Sequence, residues 1–220
     1  MEYSKLEYYV SQARLSRFLR ACGGSKNKAQ KLYKINLRVA QAFYPLLNLF
    51  EIFLRNALNN HIASYYGDAD WLQTQTVGFM NHGSLMGSRF YLKNCVITAQ
   101  NKLLQRRLTI TSGRIVSEQT FGFWSALFDN HNYRLMAGAP IQAFPHKPSY
   151  INRSQISDTL KKIREFRNRI YHNEPICFNG TTIDFSPATQ AMNNIHDIIS
   201  WIDPALLHYT AYFNNINKKI

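Results

Sequence analysis

Between "CGGSKNK", which begins at Cys22, and "YYGDADWL", which begins at Tyr65, lie about forty residues of helical periodicity. This stretch, from about 26 to 66, constrains the fold more than any other. Two glycines stop the helix before it, Ser25 can cap its start and Gly67 closes it. Its one proline, Pro45, should kink or divide it, because the ring removes a backbone donor and clashes with the preceding turn. The rest of the chain has the same character. Residues 4–21 read as a helix, with Leu6, Tyr9, Val10, Ala13 and Phe18 at three-to-four spacing. "QTQTVGFMNHGSLMGS" is a glycine-punctuated loop, and helical spacing returns in "RFYLKNCVITAQNKLLQRRL". A threonine-rich turn, "TITSGR", leads into a core helix in "IVSEQTFGFWSALFDN". "AGAPIQAFPHKPSY" holds three prolines and reads as an exposed or ordered connecting loop.

A helix from about 153 to 173 follows, then "CFNGTTIDFSP", a turn with two short extended pieces. Ser186-Pro187 opens the next helix, and after Asp203-Pro204 a last one runs through "ALLHYTAYFNN". No stretch alternates apolar and polar residues, so the class is all-α. Without a linker, heptad run or repeat, residues 1–220 read as a single domain.

Charge narrows the partners. Twenty-six Lys and Arg against thirteen Asp and Glu give a formal net charge of +13, which attracts polyanions: nucleic acid or anionic membrane. The most apolar run, "AFYPLLNLFEIFL", is too short to span a bilayer and carries Pro45, Asn48 and Glu51, so no membrane partner is expected. "MEYSKLEYYV" has no secretory-signal pattern. Cys22, Cys95 and Cys177 are isolated and fit neither a disulfide framework nor a thiolate metal site, which suits reduced cysteines in the cytoplasm. Metal-binding, P-loop, dinucleotide and nucleophile-elbow motifs are missing, so neither a metal nor another cofactor is expected. Trp71, Trp124 and Trp201 lie in apolar contexts and read as core residues.

One short stretch stands apart. "EFRNRIYHNEPI", residues 165–176, gathers Arg167, Asn168, Arg169 and His172 just before Pro175. Leu160, Ile163, Phe166 and Ile170 form an apolar stripe on this helix, with Arg164, Asn168 and His172 on the opposite face. Arg167 falls at the border, ~140° from His172 on an ideal helix. One isolated helix therefore does not bring the pair into contact; RNA, a distorted helix end, a second helix or another subunit would have to join them. The plainest reading is a solvated helix end whose cations suit the negative pole of the dipole. The residue types also have a joint chemical purpose. Histidine can take a proton from a ribose 2′-OH or give one to a leaving oxygen. Arginine can clamp a phosphate that gains charge in the transition state, and asparagine can orient either group. Together they could cleave RNA without a metal, leaving a 2′,3′-cyclic phosphate and a 5′-OH. A looser copy, "LRNALNNHIA", holds Arg55, Asn56 and His61, candidates for RNA contact or a composite site. Glu51 and Glu165 are available to pair with these arginines. Arg164, Arg169, Lys161 and Lys162 flank the main motif as candidate RNA-backbone contacts, and Lys102, Arg106, Arg107 and Arg114 form a second basic cluster.

"IREFRNRIYHNEPI" resembles the R-x4–6-H signature of the HEPN superfamily, in the form found in Abi-like (abortive-infection) proteins. "FEIFLRNALNNHIASYYGDADWL", "GRIVSEQTFGFWSALF" and "DIISWIDPAL" resemble further blocks of that family in the same order, so the likeness covers most of the chain. The resemblance implies a HEPN-type helical bundle with extra helices and long connecting loops, a homodimer with motif helices facing each other, and metal-independent endoribonuclease activity in a toxin or phage-defence setting. By position it makes Arg167 the motif arginine, Asn168 the polar residue after it and His172 the motif histidine, and it brings in an antitoxin or regulatory RNA as a further partner. Asn173 departs from the pattern, since many relatives carry a second histidine there. The competing readings are a non-catalytic RNA-binding protein that holds a regulatory structured RNA, and a protein-interaction bundle with no RNA affinity beyond weak sticking.

Overall fold

A computed structural model describes residues 1–219. In chain order the helices are α1 (Tyr3–Val10), α2 (Gln12–Ala21), α3 (Lys26–Tyr66), α4 (Trp71–Thr74), α5 (Tyr91–Gln105), α6 (Ser112–Glu118), α7 (Phe121–Ala126), α8 (Asn130–Leu135), α9 (Arg153–Tyr171), α10 (Ser186–Ile202) and α11 (Ala205–Ala211). An antiparallel hairpin, β1 (Phe178–Asn179) and β2 (Thr182–Ile183), sits between α9 and α10, with Phe178 opposite Ile183. The fold is all-α, as the periodicity predicts.

The long stretch forms one helix. At 41 residues α3 is about 60 Å long, and Gly67 ends it at φ +63°. Val39, Phe43, Leu46, Leu47, Phe50, Leu54, Leu58 and Ile62 repeat along one side and are buried. Pro45 does not divide it. A proline inside a helix costs about 3 kcal/mol, whereas each fully buried Leu or Phe contributes roughly 1.5–3 kcal/mol. Phe43, Leu46 and Leu47, all essentially inaccessible, hold the helix together on both sides of the ring. By length and composition α3 could cross a membrane, with a best 18-residue mean hydropathy of 1.2, so the apolar run is longer than the sequence reading allowed. Its apolar side chains instead form the centre of the protein core, joined by side chains of α7, α9 and α10 and by Trp71 and Trp124. Trp201 packs against the same core while remaining half-buried.

A second, smaller cluster lies at the amino-terminal end. Tyr3, Leu15, Phe18, Ala29, Leu32, Cys177 and Phe178 form it, and Phe185 packs against both clusters. Here the expected single helix over residues 4–21 is two. Ser11 adopts φ +84° and its Oγ accepts the Arg14 N–H, so it starts α2 rather than continuing α1. The break turns Leu15 and Phe18 inward and leaves Tyr8 and Tyr9 exposed.

Two other segments differ from expectation. The core helix expected in "IVSEQTFGFWSALFDN" is parted at Gln119 and Thr120 into α6 and α7, and the Gln119 amide donates to the Ile115 carbonyl at the break. The proline-containing connection is ordered, one of the two expected forms, but it is also partly interior. Its 3₁₀ turn, Ala139–Ala143, packs on α3 and buries Ala139, Pro140 and Ala143. Proline suits this place because a buried turn with fewer backbone N–H groups has fewer to satisfy.

Candidate functional site

α9 starts with a capping box: Asn152 Oδ1 accepts the Gln155 N–H while Gln155 Oε1 accepts the Asn152 N–H. Such a pair satisfies two of the donors that a helix start leaves open. Ile156, Leu160, Ile163, Phe166 and Ile170 are buried, so the apolar stripe fixes the rotation of the helix and thereby where its polar residues point. Phe166 lies against Phe43 of α3, with ring centroids 4.8 Å apart.

The helix ends in a Schellman turn. His172 is the last half-helical residue, Asn173 takes φ +53°, and the Glu174 N–H reaches back to the Arg169 carbonyl at 2.8 Å. Asparagine is one of the few side chains that enter the left-handed region readily. That gives position 173 a backbone reason to differ from the histidine of the family that the motif resembles.

Four side chains from three elements then fasten the segment after the helix. Arg169 donates to the Pro175 carbonyl and approaches the Glu174 carboxylate at 3.9 Å. Arg14 of α2 donates to the Asn173 carbonyl at 2.6 Å. Arg17 donates to the Gly180 carbonyl at 2.6 Å and lies 4.4 Å above the Phe178 ring. Asn36 of α3, almost wholly buried, accepts the buried Ile176 N–H at 2.8 Å. Arg169, expected against an RNA backbone, thus holds its own loop.

Arg167 points towards α3. Its Nε donates to Glu51 Oε1 at 2.9 Å and its Nη2 lies 3.5 Å from Oε2, while its Cζ sits 4.2 Å over the Tyr171 ring. The arginine and glutamate side chains are 29% and 26% exposed, so water screens only part of the pair. Among the described residues Nη1 meets only Asn168 Oδ1, at 3.5 Å, which leaves it able to serve another acceptor. Tyr171 packs edge-on against Tyr44 at 5.5 Å. Burial, and after it the Glu51 carboxylate, raises the Tyr171 phenol above its ordinary pKa.

Asn168 and His172 are exposed. Among the described residues no hydrogen bond joins His172 to Arg167, as their angular separation predicts. One chain therefore offers a fixed cation and a solvent-facing imidazole around one helix end, without direct contact between them.

The second motif is arranged differently. Arg55 follows Glu51 by four residues, on the same side of α3, but Glu51 bonds to Arg167, and Arg55 Nε turns to the neighbouring Asn56 Oδ1 at 3.3 Å. His61 lies ~120° around the helix from Arg55, and burial lowers its pKa. The structure brings Arg55, not His61, to the edge where Arg167 sits. Arg164 is half-buried on the side of Asp129 and Tyr91; its positive charge opposes the upward shift that burial imposes on both groups. Of the second basic cluster, Arg106 pairs with Glu118 at 2.9 Å.

Sequence reasoning missed Tyr171, Tyr44, Asn36 and Arg14 as partners of this site. Tyr171 stands four residues after Arg167, the spacing that stacks two side chains on a helix. Asn36 continues the series Leu32, Asn36, Val39, Phe43 and is the polar member of an apolar stripe. Arg14 carries no such signal. Among the described residues no three His, Cys, Asp or Glu side chains gather in a metal-binding arrangement. Comparison of the chain with family models, curated proteins and solved structures finds no match.

Proposed function

We propose that the protein is a metal-independent endoribonuclease, working as a homodimer in the cytoplasm, with Arg167, Asn168 and His172 as its active residues. The observation that carries this reading is the fixed guanidinium: Glu51 and Tyr171 hold Arg167, its Nη1 meets only Asn168 among the described residues, and the same helix end carries an exposed imidazole. A cation positioned before the substrate arrives stabilises developing charge without reorganising at the moment of reaction.

In this reading an imidazole takes the ribose 2′-OH proton, the 2′ oxygen attacks the adjacent phosphorus, and Arg167 Nη1 meets the charge that gathers on the non-bridging oxygens. The P–O5′ bond breaks, and a second, protonated imidazole, His172 of the other copy, supplies the proton to the leaving oxygen. The products are a 2′,3′-cyclic phosphate and a 5′-OH. Asn168 orients the guanidinium. The resemblance to abortive-infection proteins suggests the setting, a toxin in phage defence restrained by an antitoxin or regulatory RNA.

The test is incubation of the purified protein with a mixed cellular RNA pool in the presence of EDTA, beside His172→Ala, with chemical mapping of the new ends. Cleavage with cyclic-phosphate ends by the wild type alone is the expected result. Equal cleavage by the variant removes His172 from the mechanism.

One observation favours a second reading, a non-catalytic protein that holds a regulatory structured RNA. Glu51 already neutralises Arg167, and His172 does not touch it. On that reading no product forms, and affinity for one RNA species falls steeply with salt.

A further inference from the structure

Tyr44, which Tyr171 meets edge-on, connects the motif to an open groove along α3. Arg38, Gln41, Ala42, Tyr44 and Pro45 of α3 form one wall; Phe213, Asn215 and Lys219 form the other, and the space between is about 740 Å³. That lies within the roughly 300–1,000 Å³ typical of ligand clefts. Its chemistry is one-sided: two cations, two side-chain amides, two aromatic rings and, among the described lining residues, no carboxylate.

The aromatic residues here are exposed to an unusual degree. Tyr44 is 41% accessible, Phe213 38% and Tyr212 88%. Phe213 touches Tyr209 and Tyr212 at centroid distances of 5.9 and 5.0 Å, and Tyr209 in turn reaches Phe53 of α3. Exposed rings thus stand on both walls of the groove, Phe213 on one and Tyr44 on the other, and Tyr44 meets Tyr171, over which Arg167 lies. Water-facing rings set among cations are what unpaired bases and their phosphates require: a ring face for each base and a positive charge for the backbone. Paired bases hide their faces in the helical stack and gain nothing from such rings.

We propose that this groove binds unpaired nucleotides of an RNA strand, with bases stacked on Tyr44 and Phe213 and phosphates against Arg38 and Lys219. The inference rests on the RNA-directed reading above and deepens it. It makes single-stranded RNA the substrate class and gives the strand a path from the groove over Tyr44 and Tyr171 to Arg167.

The test measures binding separately from cleavage. Affinity for a fluorescent single-stranded RNA decamer, 2′-O-methylated throughout so that no 2′-OH remains to attack, is compared with affinity for the same strand in a duplex. Tyr44→Ala and Phe213→Ala should each weaken single-strand binding roughly 5- to 100-fold, the loss of one stacked base. Duplex binding should change less than twofold, and Tyr44→Phe should restore the wild-type value. Circular dichroism and thermal melting identify folded variants, and Arg38→Gln, which should also weaken single-strand binding, carries the test if an alanine variant does not fold. Single-strand affinity unchanged in both alanine variants, or an equal loss for duplex and single strand, overturns the groove. Sedimentation that shows Tyr44→Ala turning a dimer into a monomer also overturns it, by assigning this face to a second copy of the chain. The two readings fail separately. His172→Ala should leave decamer binding intact, so a Tyr44-dependent affinity without any RNA cleavage would sink the nuclease and leave the groove standing.

Discussion

At the end of α9, Arg-Asn and a histidine five residues after the arginine meet a helix that is stopping; in the last third of α3, Arg-Asn and a histidine six residues on lie on a helix that continues past them to Tyr66. The first histidine, His172, leaves the helix at its cap and faces water, and the first arginine, Arg167, is bonded across to another helix. The second histidine, His61, is part-buried and shifted towards its neutral form, and Arg55 bonds to its own neighbour. The same residue types therefore have different chemical availability. What separates them is the turn at Asn173 and the neighbour at Glu51, not the motif letters. A useful site needs one group held and one group free, and only the α9 end supplies both.

The sharpest way to break this comparison is to remove the two histidines in turn. His172→Ala should lower RNA cleavage by at least about 100-fold, the usual share of a general acid or base, while His61→Ala stays within threefold, measured as the rate of cyclic-phosphate formation. Equal losses would erase the distinction. The arginines come next. Arg167→Ala should cost about 100- to 1,000-fold in turnover, as for a preorganised charge stabiliser, and Arg55→Ala less than tenfold.

Stability gives smaller effects. Asn36→Ala leaves the buried Ile176 N–H without its acceptor and should destabilise the fold by about 1–3 kcal/mol, read from urea unfolding. Glu51→Gln loosens only a part-exposed ion pair and should cost no more than about 1 kcal/mol. The smallest effect is in pH. Burial depresses the pKa of His61 and of His196 below the ordinary 6.5, so the unfolded chain takes up protons that the folded chain resists. The stability these histidines contribute is present above pH 6.5 and is lost as pH falls below it towards their folded values. His61→Gln should flatten the decline in unfolding free energy between about pH 6.5 and 5; an unchanged slope would show that its burial is energetically idle.

The stripe Leu160, Ile163, Phe166 and Ile170 could be read from sequence because a 3.6-residue period is a local property, and so could the end of α3 at Gly67. The expected turn with two short extended pieces is the β1–β2 hairpin. Ser11 could not be read in the same way. A serine in a run of helix formers is nearly neutral, and its role as a start signal for α2 depends on where Leu15 and Phe18 find a cluster to enter. The angular mismatch between Arg167 and His172 follows from helix geometry, but the partner of Arg167 does not. Glu51 has Arg55 at helical spacing in its own helix, yet bonds to an arginine 116 residues away. Such pairings depend on how α3 and α9 pack, which a periodicity does not specify.

The bonds from Arg14 to the Asn173 carbonyl and from Arg17 to the Gly180 carbonyl make α2 a splint across the joint after α9. Cys22, Gly23, Gly24 and Ser25 are the backbone between that splint and α3, and both glycines stand at positive φ with open space around them. Whatever levers the first two helices away at this hinge would loosen the chain immediately after His172 without touching the motif. The opening residues, which carry none of the proposed chemistry, thus have their hand on the position of the imidazole.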